Sequence, residues 1–462
     1  MKNKIIAFLI VTPIAIAIGA YRLVHIVSDR HAKQTHTAYQ GQLQALSAAG
    51  IPTQMAKLQD PLPPAARDAG PIFAQIDAEL KAHPPTAGDK ILVDGFKRHM
   101  PSPQEIADAH AAVIHQAHLL SLIHAAAARP QCDLRINWSN PDPVAVVFPR
   151  FAGIRQSTRV ISVESFDLAH QGHFHEAIQN QALGFQLADH ALSGKTTIAY
   201  LVALACNAIT LEGMRKILYL SHGDPVAAQE IIDAIDSRYH PVKYSKALQT
   251  EITFDATEIE YLRSAGPLAL FNSVDNPSHK KPEQVAMTTM GKAQWNTYLD
   301  DNGALILTTL RHNHDIADLP YPQSNPQLAA SDAALDKASN SYSGRFRYML
   351  TEVCLPPSRT SAAKKTTIDA DARIVEISAR LLIQKSKTHA FPTDLSALPH
   401  LPLDPFTEGP FHYRREGDGF VLYSTGEDGN FDGGTPARKP EKYQSMFRYP
   451  IPPYYTNPVT TP

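Results

Sequence analysis

The clearest chemical pattern in the sequence is a short acidic turn near the C-terminus, Asp428-Gly429-Asn430-Phe431-Asp432-Gly433. Oxygen-bearing side chains alternate there with residues that permit a tight turn, as a hard cation such as Ca²⁺ requires. The candidate Ca²⁺ donors are Glu427, Asp428, Asn430 and Asp432. Lys439 stands where an EF-hand loop has its bidentate acid. The alternative is an ordinary turn whose Asp and Asn side chains bond their own backbone.

Histidine is abundant, with 21 residues, yet its spacing does not predict a zinc site. His173 and His175 precede or begin a predicted helix, where residues two apart do not face one another. Four more fall on one predicted helix and spread around its circumference, too widely for one coordination sphere. They are His110, His115, His118 and His124.

A group of acids lies on a predicted helix over Tyr244–Arg263: Glu251, Asp255, Glu258 and Glu260. A solvated helix face explains such a group without a catalytic pair. The sequence contains none of the patterns G-x-S-x-G, G-x-G-x-x-G, H-E-x-x-H or C-x-x-C. No catalytic residue is therefore assigned, and the sequence favours a protein that is not an enzyme.

The three cysteines allow at most one disulfide and leave one free thiol. Cys206 lies in an apolar helical run, where cysteine behaves as a small hydrophobic residue. Cys132 and Cys354 are then the candidate pair for a disulfide in an oxidising compartment.

The N-terminus indicates export. Lys2 and Lys4 precede an apolar run from Ile5 to Tyr21 that continues through Val27. This pattern predicts a signal anchor over residues 1–27, with a cleavable signal peptide as the alternative. The predicted location is the inner, cytoplasmic membrane, crossed once, with the bulk of the chain in the periplasm. Cleavage would leave a periplasmic or secreted protein.

The charge balance excludes a nucleic-acid partner of the usual kind. Lys and Arg number 43 and Asp and Glu 45, so the formal net charge is −2. A basic patch or stripe, the footprint of nucleic-acid binding, is not indicated.

Helical periodicity covers most of the chain and predicts a mainly α fold of stacked antiparallel hairpins. Short breaks separate three predicted helices, Ile154–Ala169, His175–Leu192 and Thr196–Leu220, so we expect them to be antiparallel neighbours. We predict a linker with short helices over 28–100 and a helical domain over 101–350.

A small α+β module is predicted over 360–434. A long helix from about Thr367 to Lys387 has Ile374, Ile377, Leu381 and Leu382 on one face. Alternating residues on either side of Glu416-Gly417-Asp418-Gly419 then predict a β-hairpin. Residues 435–462 contain seven prolines, and we expect this tail to form neither helix nor sheet.

The segment Phe391–Gly434 resembles the C-terminal part of the major pseudopilin of type II secretion. The resemblance rests on Phe391-Pro392, the run Leu401–Phe406, Leu422-Tyr423-Ser424 and Asp428-Gly429. It implies a pseudopilin-like module and strengthens the calcium prediction, because the equivalent loop binds calcium in that family. Several further segments resemble uncharacterised bacterial proteins with one N-terminal anchor, a helical body and this ending. Leu46–Pro52, Ala126–Asp133 and the helical block 165–220 are among them.

The chain also departs from the pseudopilin pattern. Lys4–Phe8 has no Gly-Phe-type cleavage site, and more than 300 residues separate the anchor from the module. Assembly into a fibre is therefore not expected. We predict a membrane-anchored, envelope-facing binding or scaffold protein whose partners are envelope proteins or peptides. The alternatives are an envelope hydrolase with a His/acid site assembled by the fold, and an accessory factor of type II secretion.

Overall fold

The structure is a computed structural model that describes residues 28–83, 86, 89–94, 100–146, 150–269, 289–339, 347–427, 429 and 445–451. The predicted anchor, residues 1–27, lies outside this part of the chain. The described helices, in chain order, are α1 (28–48), α2 (Gly70–Ala82), α3 (Lys90–Asp94), α4 (Pro103–His115), α5 (Ala117–Ala127), α6 (Phe151–His170), α7 (Phe174–Leu192), α8 (Thr197–Leu220), α9 (Pro225–Arg238), α10 (Tyr244–Ala265), α11 (Lys292–Ile316), α12 (Tyr321–Ser339), α13 (Met349–Cys354) and α14 (Ser358–Thr388).

Short 3₁₀ turns occur at Met55–Leu58, Ala65–Arg67, Pro143–Ala145 and Leu395–Ala397. The strands are β1 (His412–Glu416), β2 (Gly419–Tyr423) and β3 (Met446–Tyr449). The molecule is 69% helix, which confirms the mainly α class.

The three predicted neighbours form α6, α7 and α8, which pack side by side as expected. Gly172 supplies the left-handed residue of the first turn, with φ +85°. The second turn ends where the Thr196 hydroxyl accepts a hydrogen bond from the Ala199 N–H at 3.1 Å and caps α8. α7 and α8 come unusually close at Gly184, where an added Cβ would lie 2.0 Å from Thr210 Oγ1. Small residues therefore set this helix spacing.

Two large apolar cores lie on either side of this helical layer. The first joins α1 to α9–α11, α14 and the sheet, and it includes Tyr39, Trp295 and Phe447. The second joins the segment from Met55 to Val163 to the other faces of α7 and α8. α8 contributes to both, with Tyr200 in the first and Cys206 in the second. The middle helices therefore connect the two halves of the described molecule.

The expected linker over 28–100 is largely part of the fold. Tyr39 on α1 belongs to the first core, and Phe73, Ile76 and Leu92 are buried in the second. The prolines that interrupt this segment restrict helix length, which is the reason that the sequence pattern there is weak. Burial of its scattered apolar residues still attaches it to the body.

The long C-terminal helix is confirmed as α14, and it begins nine residues before the predicted start. The predicted apolar face is fully buried, with Ile374, Ile377 and Leu381 at 0% exposure. The helix ends at Thr388, and the C-cap residue His389 adopts a left-handed conformation with φ +59°. α14 packs against α8, α9 and α12, so it forms part of the helical body.

The predicted hairpin is present as β1 and β2, joined by Gly417 and Asp418. Arg414 pairs with Val421, and Gly417 has the positive φ of +58° that such a turn needs. A third antiparallel strand, β3, pairs Leu422 with Phe447. The expectation that the Pro-rich tail forms no sheet is therefore wrong for 446–449. Prolines flank β3 and leave its own four residues free to pair.

One described helix, α8, is long and apolar enough to span a membrane, and 61% of its most apolar window is buried inside the protein. It is central to the packing of both cores, as described above. Its apolar character is accounted for by that burial.

Candidate functional site

The predicted calcium donors fall mostly outside the described residues. Asp428, Asn430 and Asp432 are in the part of the chain that the structure does not describe. Glu427 is described; it is exposed, and its Oε1 lies 3.7 Å from Nη2 of Arg359. The calcium site remains a prediction.

The predicted Cys132–Cys354 disulfide is not formed in the structure, in which all three cysteines are free thiols. Cys132 is buried in the second core, and this burial raises the pKa of its thiol to about 12. Cys354 ends α13 and packs against the first core. The two sulfurs have different neighbours because the helical layer separates their cores. Cys206 is fully buried, as its apolar run predicts.

The histidines of α4 and α5 each face a different acid on a neighbouring element. His110 Nδ1 lies 3.0 Å from Asp167, and His115 Nδ1 lies 3.0 Å from Asp89. His124 Nε2 lies 2.7 Å from Glu164 Oε2, and that hydrogen bond raises the pKa of His124. His118 Nε2 lies 3.9 Å from Glu79. Each of these histidines therefore forms a separate pair with an acid of another segment, and the four do not share one site.

The acids of α10 are not the solvated face that the sequence predicts. Asp255 is only 3% exposed, and Glu251 and Glu258 are partly buried on the same stripe of the helix. Cys354 approaches this stripe from α13, and ligand atoms of Asp255, Glu258 and Cys354 lie within 4.8 Å of one another. Burial and the nearby acids hold the pKa of Asp255 well above its usual value. Burial raises the pKa of Glu258 to about 7.

A cavity of about 220 Å³ opens between the start of α12, the first half of α14 and the loop before β1. Its charged and hydroxyl-bearing lining residues are Asp318, Tyr321, Ser324, Lys365, Thr366, Asp369, Arg373 and Glu408. We call it the α12–α14 cavity. It is smaller than the roughly 300–1,000 Å³ of most small-molecule sites. Its size suits one side chain or chain end.

Tyr321 lines this cavity, and its hydroxyl group has no hydrogen-bond partner among the described residues. The side chain is 7% exposed and packs edge-on against Phe406, with ring centroids 4.9 Å apart. Its Oη is buried and has no hydrogen-bond partner among the described residues. Burial and the charge of Glu427 raise the pKa of Tyr321 to about 12, so the phenol is an O–H donor at neutral pH. A buried donor without an acceptor costs about 1–3 kcal/mol.

Two cations lie in the same lining. Lys365 Nζ lies 3.1 Å from Asp369 Oδ2, a pair one turn apart on α14. Asp369 also accepts a hydrogen bond from Tyr239 Oη, which fixes its carboxylate. Arg373 donates through Nη1 to the Leu403 carbonyl at 2.6 Å and so holds the loop against α14. The lining thus contains the N–H and O–H donors that a carboxylate requires, beside the three carboxyl groups of Asp318, Asp369 and Glu408.

A second cavity, of about 540 Å³, lies between the end of α1, α10 and the end of α11. It is lined by Ala45, Ala49, Ile51, Gln249, Arg311, His314 and Asp315. His314 Nδ1 lies 3.0 Å from Asp315 Oδ1, the residue next to it. This cavity contains one histidine and no serine, threonine or cysteine, so it does not assemble a nucleophile with its base.

Sequence reasoning misses both the α12–α14 cavity and the Asp255 cluster. Lys365, Asp369 and Arg373 lie at i, i+4 and i+8, a spacing that predicts a charged helix face. The spacing does not predict which other segments of the chain lie against that face. Tyr321 and Glu408 reach the same place only through the fold. Comparison with known proteins found no match, whether among protein-family models, curated proteins or solved structures.

Proposed function

We propose that this protein is a membrane-anchored, envelope-facing binding protein that holds a protein or peptide partner by a carboxylate in the α12–α14 cavity. The observation that carries the proposal is Tyr321, which lines a cavity together with Lys365 and Arg373 and whose buried Oη has no acceptor among the described residues. The anchor itself is proposed from residues 1–27 alone, as the sequence pattern indicates.

The dimensions of the cavity favour a chain end or an acidic side chain as the occupant. A volume of about 220 Å³ leaves no room for a large cofactor, whereas a terminal residue with its carboxylate fits. The carboxylate would accept from Tyr321 Oη and from Lys365 Nζ, whose one contact among the described residues is Asp369. Hydrogen bonds to charged groups contribute about 1.5–3 kcal/mol each, enough to select for this group.

The position of the cavity also supports a scaffold role. It lies where the helical body meets the loop that leads to the sheet, and the first core is continuous beneath both. A partner held there would contact two rigid parts of one folded unit. The envelope hydrolase alternative would be supported by a deep pocket in which histidines and acids converge. The α12–α14 cavity is lined by no histidine, and the second cavity brings His314 together with one acid, its sequence neighbour Asp315.

The experiment selects peptides that bind the full-length protein in detergent, from a displayed library in which every peptide has a free carboxyl terminus. We expect the selected peptides to bind with an affinity that falls at least about tenfold when the terminal carboxylate is amidated. Lys365→Gln should cause a similar loss. Lys387→Gln, at an exposed position on the same helix, is the matched control and should bind like the natural protein.

Binding that ignores amidation and survives Lys365→Gln would show that the α12–α14 cavity is not the site. No selected peptide at all would count against a peptide partner of this kind.

A further inference from the structure

The residues that bear ligand atoms outside the α12–α14 cavity converge most closely on α10. Glu251, Asp255 and Glu258 lie at i, i+4 and i+7, so the helix turns all three toward the same side. Cys354, the last residue of α13, brings a thiol to this stripe from a segment about one hundred positions later. One ligand atom each from Asp255, Glu258 and Cys354 falls within a 4.8 Å span.

Asp255 gives an independent sign that a ligand belongs there. The residue is 3% exposed, and its Oδ2 is inaccessible to solvent and has no hydrogen-bond partner among the described residues. Buried carboxylates in folded proteins are paired, hydrogen-bonded or bound to a metal. Among the described residues, none of the three acids of the stripe forms an ion pair with Lys, Arg or His. A cation bound at this position would supply the partner that Asp255 lacks among the described residues.

We propose that Asp255, Glu258 and Cys354 bind a divalent transition-metal ion, with Zn²⁺ as the best match. Two carboxylate oxygens and a thiolate are a ligand set that zinc accepts, at about 2.0–2.2 Å for oxygen and about 2.3 Å for sulfur. The thiolate disfavours Ca²⁺ and Mg²⁺, which take oxygen ligands. Three protein ligands leave the fourth tetrahedral position to a water molecule.

The distances require only a local adjustment. In a tetrahedral zinc site with those bond lengths, ligand atoms lie about 3.4–3.7 Å apart. The span of up to 4.8 Å in the structure therefore has to close by about 1 Å. Side-chain rotation can supply this movement, because Glu258 and Cys354 are only partly buried. On binding, the Cys354 thiol releases its proton to solvent and coordinates as the thiolate.

The site is separate from the proposed function, because none of the three ligands lines the α12–α14 cavity. It also gives Cys354 a role other than the disulfide that the sequence predicts. The ion would join α10 to α13, two helices of the first core.

The test uses the full-length protein, stripped with a chelator and titrated separately with Zn²⁺, with Co²⁺ and with Ca²⁺. We expect one zinc per chain by mass spectrometry of the metal, and a thiolate-to-cobalt charge-transfer band in the cobalt form. Asp255→Asn and Cys354→Ser should each weaken zinc binding by more than the roughly 10–100-fold that loss of an outer-shell partner costs. The cobalt band should vanish in Cys354→Ser.

Two controls keep the result interpretable. Glu352→Gln changes an exposed acid on the same short helix as Cys354 and should bind zinc normally. Asp255→Asn removes a buried carboxyl group that has no ion-pair partner among the described residues, so the metal-free variant should unfold no earlier than the metal-free natural protein. Failure to bind zinc, zinc that stays bound in both ligand variants, or a stronger response to Ca²⁺ than to Zn²⁺ would overturn the proposal.

Discussion

The ring of Tyr219 on α8 stacks on the ring of Phe447 on β3, with centroids 4.8 Å apart and planes inclined by 15°. Tyr219 Oη also donates to the carbonyl of Arg448 on the same strand, at 2.9 Å. This contact joins α8, the helix that contributes to both cores, to the third strand of the sheet. The sheet is thereby attached to α8 through β3, while both β2 and β3 pack against α14.

Phe447→Ala should therefore destabilise the whole molecule. The side chain is 1% exposed, and loss of a buried phenylalanine costs about 3–5 kcal/mol. Unfolding in denaturant, followed by helical circular dichroism, measures this loss. Ile114→Ala, which removes an apolar side chain that is 64% exposed, is the control and should change stability by less than about 0.5 kcal/mol. Equal effects of the two substitutions would mean that the tail does not hold the sheet.

A buried ion-pair network links α8 to α14. Arg215 is 5% exposed and lies 3.4 Å from Asp371 and 3.7 Å from Glu212, and Lys216 lies 3.0 Å from Glu212. Asp371→Asn leaves the positive charge of Arg215 less compensated in a buried position. We expect a loss of about 3 kcal/mol, in line with other broken buried pairs. The measurement is the midpoint of unfolding in denaturant, which should fall while the dependence of the unfolding free energy on denaturant concentration stays unchanged.

Asp233→Asn is the control for that experiment, since Asp233 is an exposed acid on α9. A higher salt concentration should leave the loss of stability caused by Asp371→Asn largely unchanged, because salt screens buried ion pairs only weakly. A deficit that disappears in salt would place the network at the surface.

Stability should also depend on pH through His124. Its hydrogen bond to Glu164 raises its pKa above the ordinary value of about 6.5. A raised folded-state pKa contributes stability that is fully present below the unfolded pKa and is lost as pH rises through the folded pKa. The deficit of His124→Gln should thus be largest below about pH 6.5 and shrink at higher pH. Unfolding midpoints measured from pH 5.5 to 9 test this.

Glu164→Gln should flatten the pH profile in the same way, and the double variant should show no less flat a profile than either single variant, although Glu164 also accepts a hydrogen bond from Asn180. A constant offset of His124→Gln at every pH would refute the role of its charge.

The sequence predicts the elements well wherever an apolar face repeats at helical spacing. Ile374, Ile377 and Leu381 lie on the buried face of α14 as expected, because a single helix places them together. The hairpin is equally local, since Gly417 and Asp418 provide its turn. Such features depend on residues that are close in the chain.

The same reasoning fails where distant segments decide the environment. Glu251, Asp255 and Glu258 have the spacing of a solvated helix face. In the structure, however, Asp255 is buried and Cys354 of α13 lies close to it. Phe447 lies among prolines, and its pairing with Leu422 depends on a strand more than twenty residues earlier. Tyr321, Lys365 and Glu408 likewise share a cavity because three separate segments meet there. Both candidate sites are therefore formed by residues that are distant in the sequence and meet only in the folded protein.

We propose that a protein or peptide partner in the envelope occupies the α12–α14 cavity. A photo-crosslinking residue in place of Leu319, which is 40% exposed on the rim of the cavity, tests it most directly in living cells. The same residue in place of Ile114, on α4, serves as the control. We predict one discrete crosslinked product at position 319, absent at 114 and lost when Lys365→Gln is added. Identical products at the two positions, or a product at 319 that persists with Lys365→Gln, would contradict the account.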